Sequence, residues 1–180
     1  MIVLGVDPGT LATGFGVVEW RKGKLSQIHF GVVKNRSTDS MPIRLQTIYT
    51  HLVDVIERYH PDEFAIESAF YGKNVQSAMK IGHARGVSIL AAVQNQIPTA
   101  EYAPREVKKA IVGNGAATKG QVAYMVRKLL NVKNEKMITD VSDALAVAIC
   151  HIHRVLSPGN QQKVSSWKSF ITSHPERVIS

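Results

Sequence analysis

A single cysteine, Cys150, stands in the 180 residues of the chain. One thiol excludes an internal disulfide, and a reducing cytoplasm is the expected home. Long apolar runs are missing as well, since polar residues break each of them well short of a bilayer span. No transmembrane helix is therefore expected. The N-terminus lacks the basic, apolar and small-residue segments of a signal peptide. Residues 1–156 show no internal repeat, heptad run or low-complexity tract, which excludes a solenoid or a coiled coil. Acids are the scarce charge. Fourteen Asp and Glu face 22 Lys and Arg, giving a formal net charge of +8 and a pI near 9.7. That excess points to a polyanionic partner, most often nucleic acid, although many basic proteins bind nothing anionic.

What is present suits one ordinary domain: 44% of the residues are hydrophobic, and the length is enough to bury most of a chain's surface. Ile2, Val3, Leu4 and Val6 form a short apolar run that reads as a buried strand. Asp7 ends it, and Pro8-Gly9 forces a turn. Residues 12–20 and 24–33 read as two further strands joined by the basic turn Arg21-Lys22-Gly23. Residues 40–59 carry Ile43, Leu45, Ile48, Leu52, Val55 and Ile56 at helical spacing, closed by His60-Pro61. Phe64-Ala65-Ile66-Glu67 is a second core strand that finishes in a carboxylate. A strand, a helical crossover and another strand imply parallel pairing, which brings Asp7 and Glu67 out on the same sheet edge.

Residues 74–96 predict a longer helix with apolar residues on more than one face. Gly82 and Gly86 leave room there for a neighbour, either within the chain or from a second subunit. Residues 98–103 suit a fifth strand, and 105–112 a short basic helix. The glycine-rich loop Gly113 to Lys119 lacks the spacing of a phosphate-cradling P-loop, which removes that class of nucleotide site. Thr118 can cap a helix over 119–130, whose start would accept a backbone phosphate near Lys119. The last core helix begins near Thr139, with Asp140 and Asp143 sharing one face. A helix dipole favours acids in a first turn in any case. The stretch 157–180 is polar and Ser-rich, and reads as a tail after a domain spanning 1–156.

Asp7, Glu67, Asp140 and Asp143 thus fall at two strand ends and one helix start. Four carboxylates brought together resist joint ionisation. A pair of divalent cations removes the conflict, and all-oxygen ligation suits Mg²⁺ or Mn²⁺ rather than zinc. Two such ions roughly 4 Å apart can activate water and stabilise the leaving oxygen of a phosphodiester. A basic protein with an acidic metal site has the charge layout of a nuclease. His29, His51, His60, His83, His151 and His153 share no metal spacing with the acids and read as core or surface residues.

The ordered motifs then become specific. Gly5-Val6-Asp7-Pro8-Gly9-Thr10, Thr13-Gly14-Phe15-Gly16, Ala65-Ile66-Glu67, Lys119-Gly120-Gln121-Val122 and Asp140-Val141-Ser142-Asp143-Ala144-Leu145-Ala146 resemble the RuvC family of Holliday-junction resolvases over residues 1 to about 156. The resemblance implies an α/β, RNase H-like fold: a five-stranded mixed sheet, with strands 1–3 antiparallel and strands 1, 4 and 5 parallel, flanked by helices. It implies a bacterial, cytoplasmic homodimer that cuts four-way junctions by paired symmetric nicks leaving 5′-phosphates, with two Mg²⁺ per subunit. A branch-migration motor complex is the implied partner. Asp7, Glu67, Asp140 and Asp143 inherit the metal-binding, catalytic role. Lys108 and Lys119 match basic positions used near the scissile phosphate, the second as part of the catalytic set, and Phe70 matches an aromatic position. Phe70 and Tyr71 are candidates to stack on unpaired bases, with Phe70 favoured over Tyr71. Core packing is the plain reading of Phe70, and solvated surface charge that of each lysine.

Three other readings compete, of which a junction-binding scaffold without catalysis is opposed by the four intact acids. Another RNase H-like nuclease would act on RNA–DNA hybrid or structured RNA. An actin-like or sugar-kinase ATPase also carries Asp-x-Gly-Thr, yet needs two such domains around its nucleotide, and this chain has one.

Overall fold

The computed structural model describes residues 1–68, 75–132 and 139–157, and of Thr139 and Asp140 the backbone only. The elements run β1 (Ile2–Asp7), β2 (Ala12–Arg21), β3 (Lys24–Lys34), α1 (Met41–Tyr59), β4 (Glu63–Glu67), α2 (Val75–Gln94), β5 (Thr99–Tyr102), α3 (Pro104–Val112), α4 (Lys119–Leu129) and α5 (Thr139–Leu156). They form one five-stranded sheet of order β3-β2-β1-β4-β5. The first three strands are antiparallel, while β1, β4 and β5 are parallel. The mixed sheet expected from the sequence is the one found.

Local chemistry explains the joints. Arg21 pairs with Lys24 across a two-residue turn, in which Lys22 has φ 51° and Gly23 φ 79°. Positive φ at both central positions gives the turn the twist that a hairpin needs. At the end of α1, His60 adopts a left-handed conformation and its N–H caps the Ile56 carbonyl at 2.9 Å. Pro61 then prevents the helix from continuing.

Side chains alternate across the strands and build two cores. Leu4, Val6, Phe15, Val17, Phe64 and Ile66 pack under α1 and α2. Val3, Val18 and Ala65 face α3, α4 and α5 on the other side. The sequence pattern of α5 suggests a single apolar stripe, but Ala144 to Ile152 are buried almost without interruption. The helix is sandwiched between the sheet and the α3–α4 pair, so nearly its whole circumference is covered. Among the described residues no helix is long and apolar enough to cross a membrane.

Candidate active site

Asp7 and Glu67 close neighbouring parallel strands. Val6 pairs with Ile66 in register, so the two carboxylates leave the sheet side by side. Their side chains are hydrogen-bonded to each other, which requires one of them to hold a proton. Burial is the first cause that lifts the Asp7 carboxyl from its ordinary 3.8 to about 8; the charges of Glu67 and Asp143 add to it, and Lys119 opposes. Glu67 is also raised, by burial and by Asp143, while its bond to Asp7 and the cations Lys119 and Lys108 pull it down. The two groups titrate as one dyad.

The third carboxylate arrives through α5. That helix can lie close to the sheet because Gly5 and Gly16, paired across β1 and β2, present no side chains beneath it. A Cβ on Gly16 would come within 2.5 Å of Leu145 Cδ2. The first turns of α5 therefore reach the end of β1, and Asp143 stands in the field of Asp7 and Glu67. Asp140 occupies the preceding turn of the same helix; its side chain lies outside the described residues.

Lys119 is set by a helix start. Thr118 caps α4, its hydroxyl accepting from the Gln121 N–H at 3.3 Å while Gln121 Oε1 accepts from the Thr118 N–H at 2.8 Å. The next residue then sends its ammonium to Asp143 Oδ2 at 2.7 Å. The bond holds Lys119 above the usual lysine value and leaves that side chain 68% exposed, against 14% for Asp143. Lys108, half-buried on α3, adds positive charge near Glu67. Asp7, Glu67, Asp143, Lys119 and Lys108 are thus gathered at one end of the sheet, whereas Phe70 and Tyr71 lie outside the described residues.

The donors are oxygens, the chemistry suited to a hard divalent cation. Among the described residues no three such side chains already stand as a metal cage, and Asp143 is turned onto Lys119 instead.

Residues 3–151 match the family model described as crossover junction endodeoxyribonuclease RuvC. The chain belongs to the RuvC family. It is 42% identical to the crossover junction endodeoxyribonuclease RuvC of Salinibacter ruber, over 99% of each chain. It is 51% identical to that of Saccharophagus degradans, over 84% of this chain and 87% of the other. Among solved structures it resembles Thermus thermophilus RuvC, at 34% identity and TM-score 0.79, over 86% of this chain and 95% of that one. The same RuvC solved in complex with Holliday junction substrate gives 31% identity and TM-score 0.79, with the same coverage. The sheet and its flanking helices are the RNase H-like fold that the sequence resemblance implied. The family model ends at 151, whereas the Salinibacter RuvC alignment continues through the polar segment after Leu156.

Two groups of residues escaped the sequence reading of this RuvC-family chain. His151, read there only as core or surface, is buried in a chain of hydrogen bonds: Tyr102 Oη to its Nδ1 at 2.8 Å, and its Nε2 to Glu63 Oε2 at 2.7 Å. Tyr102 pairs with Glu67 across β4 and β5, whereas Glu63 opens the strand that Glu67 closes, so the network leads from beside the carboxylate end of β4 to its far end. Thr13 and Asn35, the second group, grip the loop that follows Asp7. A fully buried threonine four residues after a glycine is too common to signal such a role.

Proposed function

We propose that this chain resolves four-way DNA junctions as a metal-dependent endonuclease, cutting two strands symmetrically and leaving 5′-phosphate ends in recombination and repair. One observation carries the reading: a chain of the RuvC family brings Asp7, Glu67 and Asp143 to a single sheet edge with Lys119 beside them. The alternative of an RNase H-like nuclease for RNA–DNA hybrid is not favoured, since the matching family and its relatives are crossover junction endodeoxyribonucleases.

The carboxylate set fits two Mg²⁺ ions, or Mn²⁺. Burial first, and then the charges of Glu67 and Asp143, lift the Asp7 carboxyl to about 8, and a divalent cation beside it would favour the ionised form. Asp7, Glu67, Asp140 and Asp143 are the residues that would hold the ions, which when bound generate the hydroxide nucleophile and offset charge on the leaving oxygen. Lys119 donates to Asp143 Oδ2 and offers its exposed ammonium to the phosphodiester. Lys108 adds attraction for the strand next to Glu67. Phe70 and Tyr71 follow Glu67 in the chain and are assigned to bases at the junction centre, on the resemblance alone.

A homodimer supplies the two cuts. The apolar residues Val75, Met79, Leu90 and Val93 of α2 are 70%, 59%, 47% and 54% exposed, and we assign the dimer contact to that helix. Delivery of junctions by a branch-migration motor complex and a bacterial cytoplasmic setting rest on the family. Composition supports a nuclease domain over 1–156 and a separate tail over 157–180.

The test is incubation with a synthetic four-way junction, duplex and RNA–DNA hybrid, with and without Mg²⁺. Paired symmetric nicks in the junction alone, dependent on Mg²⁺ and lost in Asp7→Asn while binding persists, are the expected result. Equal cleavage of hybrid, or normal cleavage by Asp7→Asn, refutes the reading.

A further inference from the structure

The loop between β1 and β2 carries Asp7 at its start and is fastened by two side chains that the cleavage chemistry does not use. Thr13 is fully buried. Its hydroxyl donates to the Gly9 carbonyl at 2.6 Å and accepts from the Gly9 N–H at 3.4 Å, so one oxygen engages both backbone groups of one residue. Gly9 has no room for a side chain, because a Cβ would come within 2.4 Å of the Ala12 carbonyl oxygen. From the other flank, Asn35 Nδ2 donates to the Thr10 carbonyl at 3.0 Å and to the Arg44 carbonyl at 3.2 Å. The Asn35 N–H reaches the Leu11 carbonyl at 2.9 Å. The loop is thereby tied to β2 by Thr13, and to the end of β3 and the start of α1 by Asn35.

We propose that Thr13, seconded by Asn35, is a positioning residue for the metal centre: it fixes the chain leaving Asp7 so that this carboxylate meets Glu67 and Asp143 in a geometry able to hold a divalent cation. The inference rests on the reading of Asp7 as a metal-holding carboxylate. The physical ground is the short lever involved. Asp7 Cα is held on the β2 side by pairing with Gly14, but the peptide leaving it is held only through the loop. A carboxylate on two rotatable bonds loses its aim when that peptide rotates. Supporting shells of this kind typically change metal affinity or activity by about 10–100-fold when broken.

Thr13→Val keeps the branched shape and removes the hydroxyl; Thr13→Ser keeps the hydroxyl. Three quantities are read on the full chain: the Mg²⁺ midpoint for junction cleavage, Mn²⁺ binding to the DNA-free protein by calorimetry, and junction affinity in EDTA. The expected result for Thr13→Val is a Mg²⁺ midpoint and a Mn²⁺ dissociation constant both raised about 10–100-fold, with junction affinity unchanged and Thr13→Ser close to the parent. Parental metal values in Thr13→Val, or Thr13→Ser as impaired as Thr13→Val, overturn the proposal. Should Thr13→Val not fold, Asn35→Ala takes its place; the same shift is expected from the other side of the loop, and parental values there also overturn it. A parent that binds Mn²⁺ yet leaves junctions intact refutes the nuclease reading alone, and the Mn²⁺ comparison still judges Thr13. A parent that binds no Mn²⁺ refutes both.

Discussion

A Cβ atom on Gly5 would stand 2.2 Å from the backbone carbonyl oxygen of Ala144, so β1 and α5 meet main chain to main chain. The same Cβ would lie 2.7 Å from the Ala148 nitrogen. Nothing flexible lines that contact, and the distance between the strand that ends in Asp7 and the helix that carries Asp143 is set by the absence of one methyl group.

Gly5→Ala is therefore expected to push α5 off the sheet. Overpacking costs typically about 1–3 kcal/mol when side chains can yield, and here only backbone is available, so the loss belongs at or above the top of that range. Gly16→Ala meets the Leu145 side chain at Cδ2 and Cγ, with backbone no nearer than 3.3 Å, and should cost less. Thermal melts of both variants check the order. A Gly5→Ala protein as stable as Gly16→Ala would contradict the close seat of α5.

Stability without metal should depend on pH through the Asp7–Glu67 pair. The Asp7 carboxyl is raised from 3.8 to about 8. A raised folded-state value contributes stability that is fully present below the unfolded value and is lost as pH rises through the folded one. The parent in EDTA should lose melting temperature across the span from about pH 4 to about pH 8. Asp7→Asn cannot ionise there, so its melting curve should decline less and lie above the parent at the alkaline end. Mg²⁺ should restore the parent and leave the variant unmoved. Parallel pH profiles of the two proteins would remove the basis for this.

Lys119→Gln removes the ammonium 2.7 Å from Asp143 while leaving the Thr118 cap of α4 in place. Loss of one donor that stabilises developing charge typically lowers turnover about 10²–10³-fold. Single-turnover cleavage of a junction at saturating Mg²⁺ measures it. A variant that cuts at the parental rate would reduce Lys119 to a surface charge.

Tyr102→Phe deletes the hydroxyl bonded to the buried His151 Nδ1. A buried ring nitrogen left without its partner costs about 1–3 kcal/mol, and for a domain near this size each kcal/mol lowers the melting temperature by about 2–4 °C. Cleavage should survive at temperatures where the variant is folded, because the lost hydroxyl bonds His151, and through it Glu63 at the start of β4, and none of the carboxylates at the other end. Denaturant titration and a junction assay on the same preparation separate the two effects.

Met79→Asp puts a charge on an α2 face where Met79 is already 59% exposed. The isolated fold should tolerate it. If α2 is the dimer contact, light scattering should report a monomer, and the junction should receive single unpaired nicks. A Met79→Asp protein that remains dimeric would move the contact elsewhere.

Strand ends and helix starts were open to reading because they are written in short patterns. Alternation and a following Pro8-Gly9 placed Asp7 at the close of β1; Phe64 to Glu67 placed the second acid; the 3.6-residue spacing of α1 supplied the crossover that makes β1 and β4 parallel. Those local features put Asp7 and Glu67 on the same sheet edge if β4 lies next to β1, and the assembled sheet makes the two strands neighbours. Other features have no local pattern. The proton shared by Asp7 and Glu67, the ammonium of Lys119 on Asp143, the double hold of Thr13 on Gly9 and the Tyr102–His151–Glu63 chain all join residues whose meeting depends on how layers stack. The near-complete burial of α5 is of the same kind, since one helix cannot reveal that two others will cover its outer side. Sequence determined which groups exist and which strand or helix end bears each of them. Packing decided their distances, and with them their charge states, because hydrogen bonding and the cost of removing a charge from water act over a few ångströms that only the assembled fold specifies.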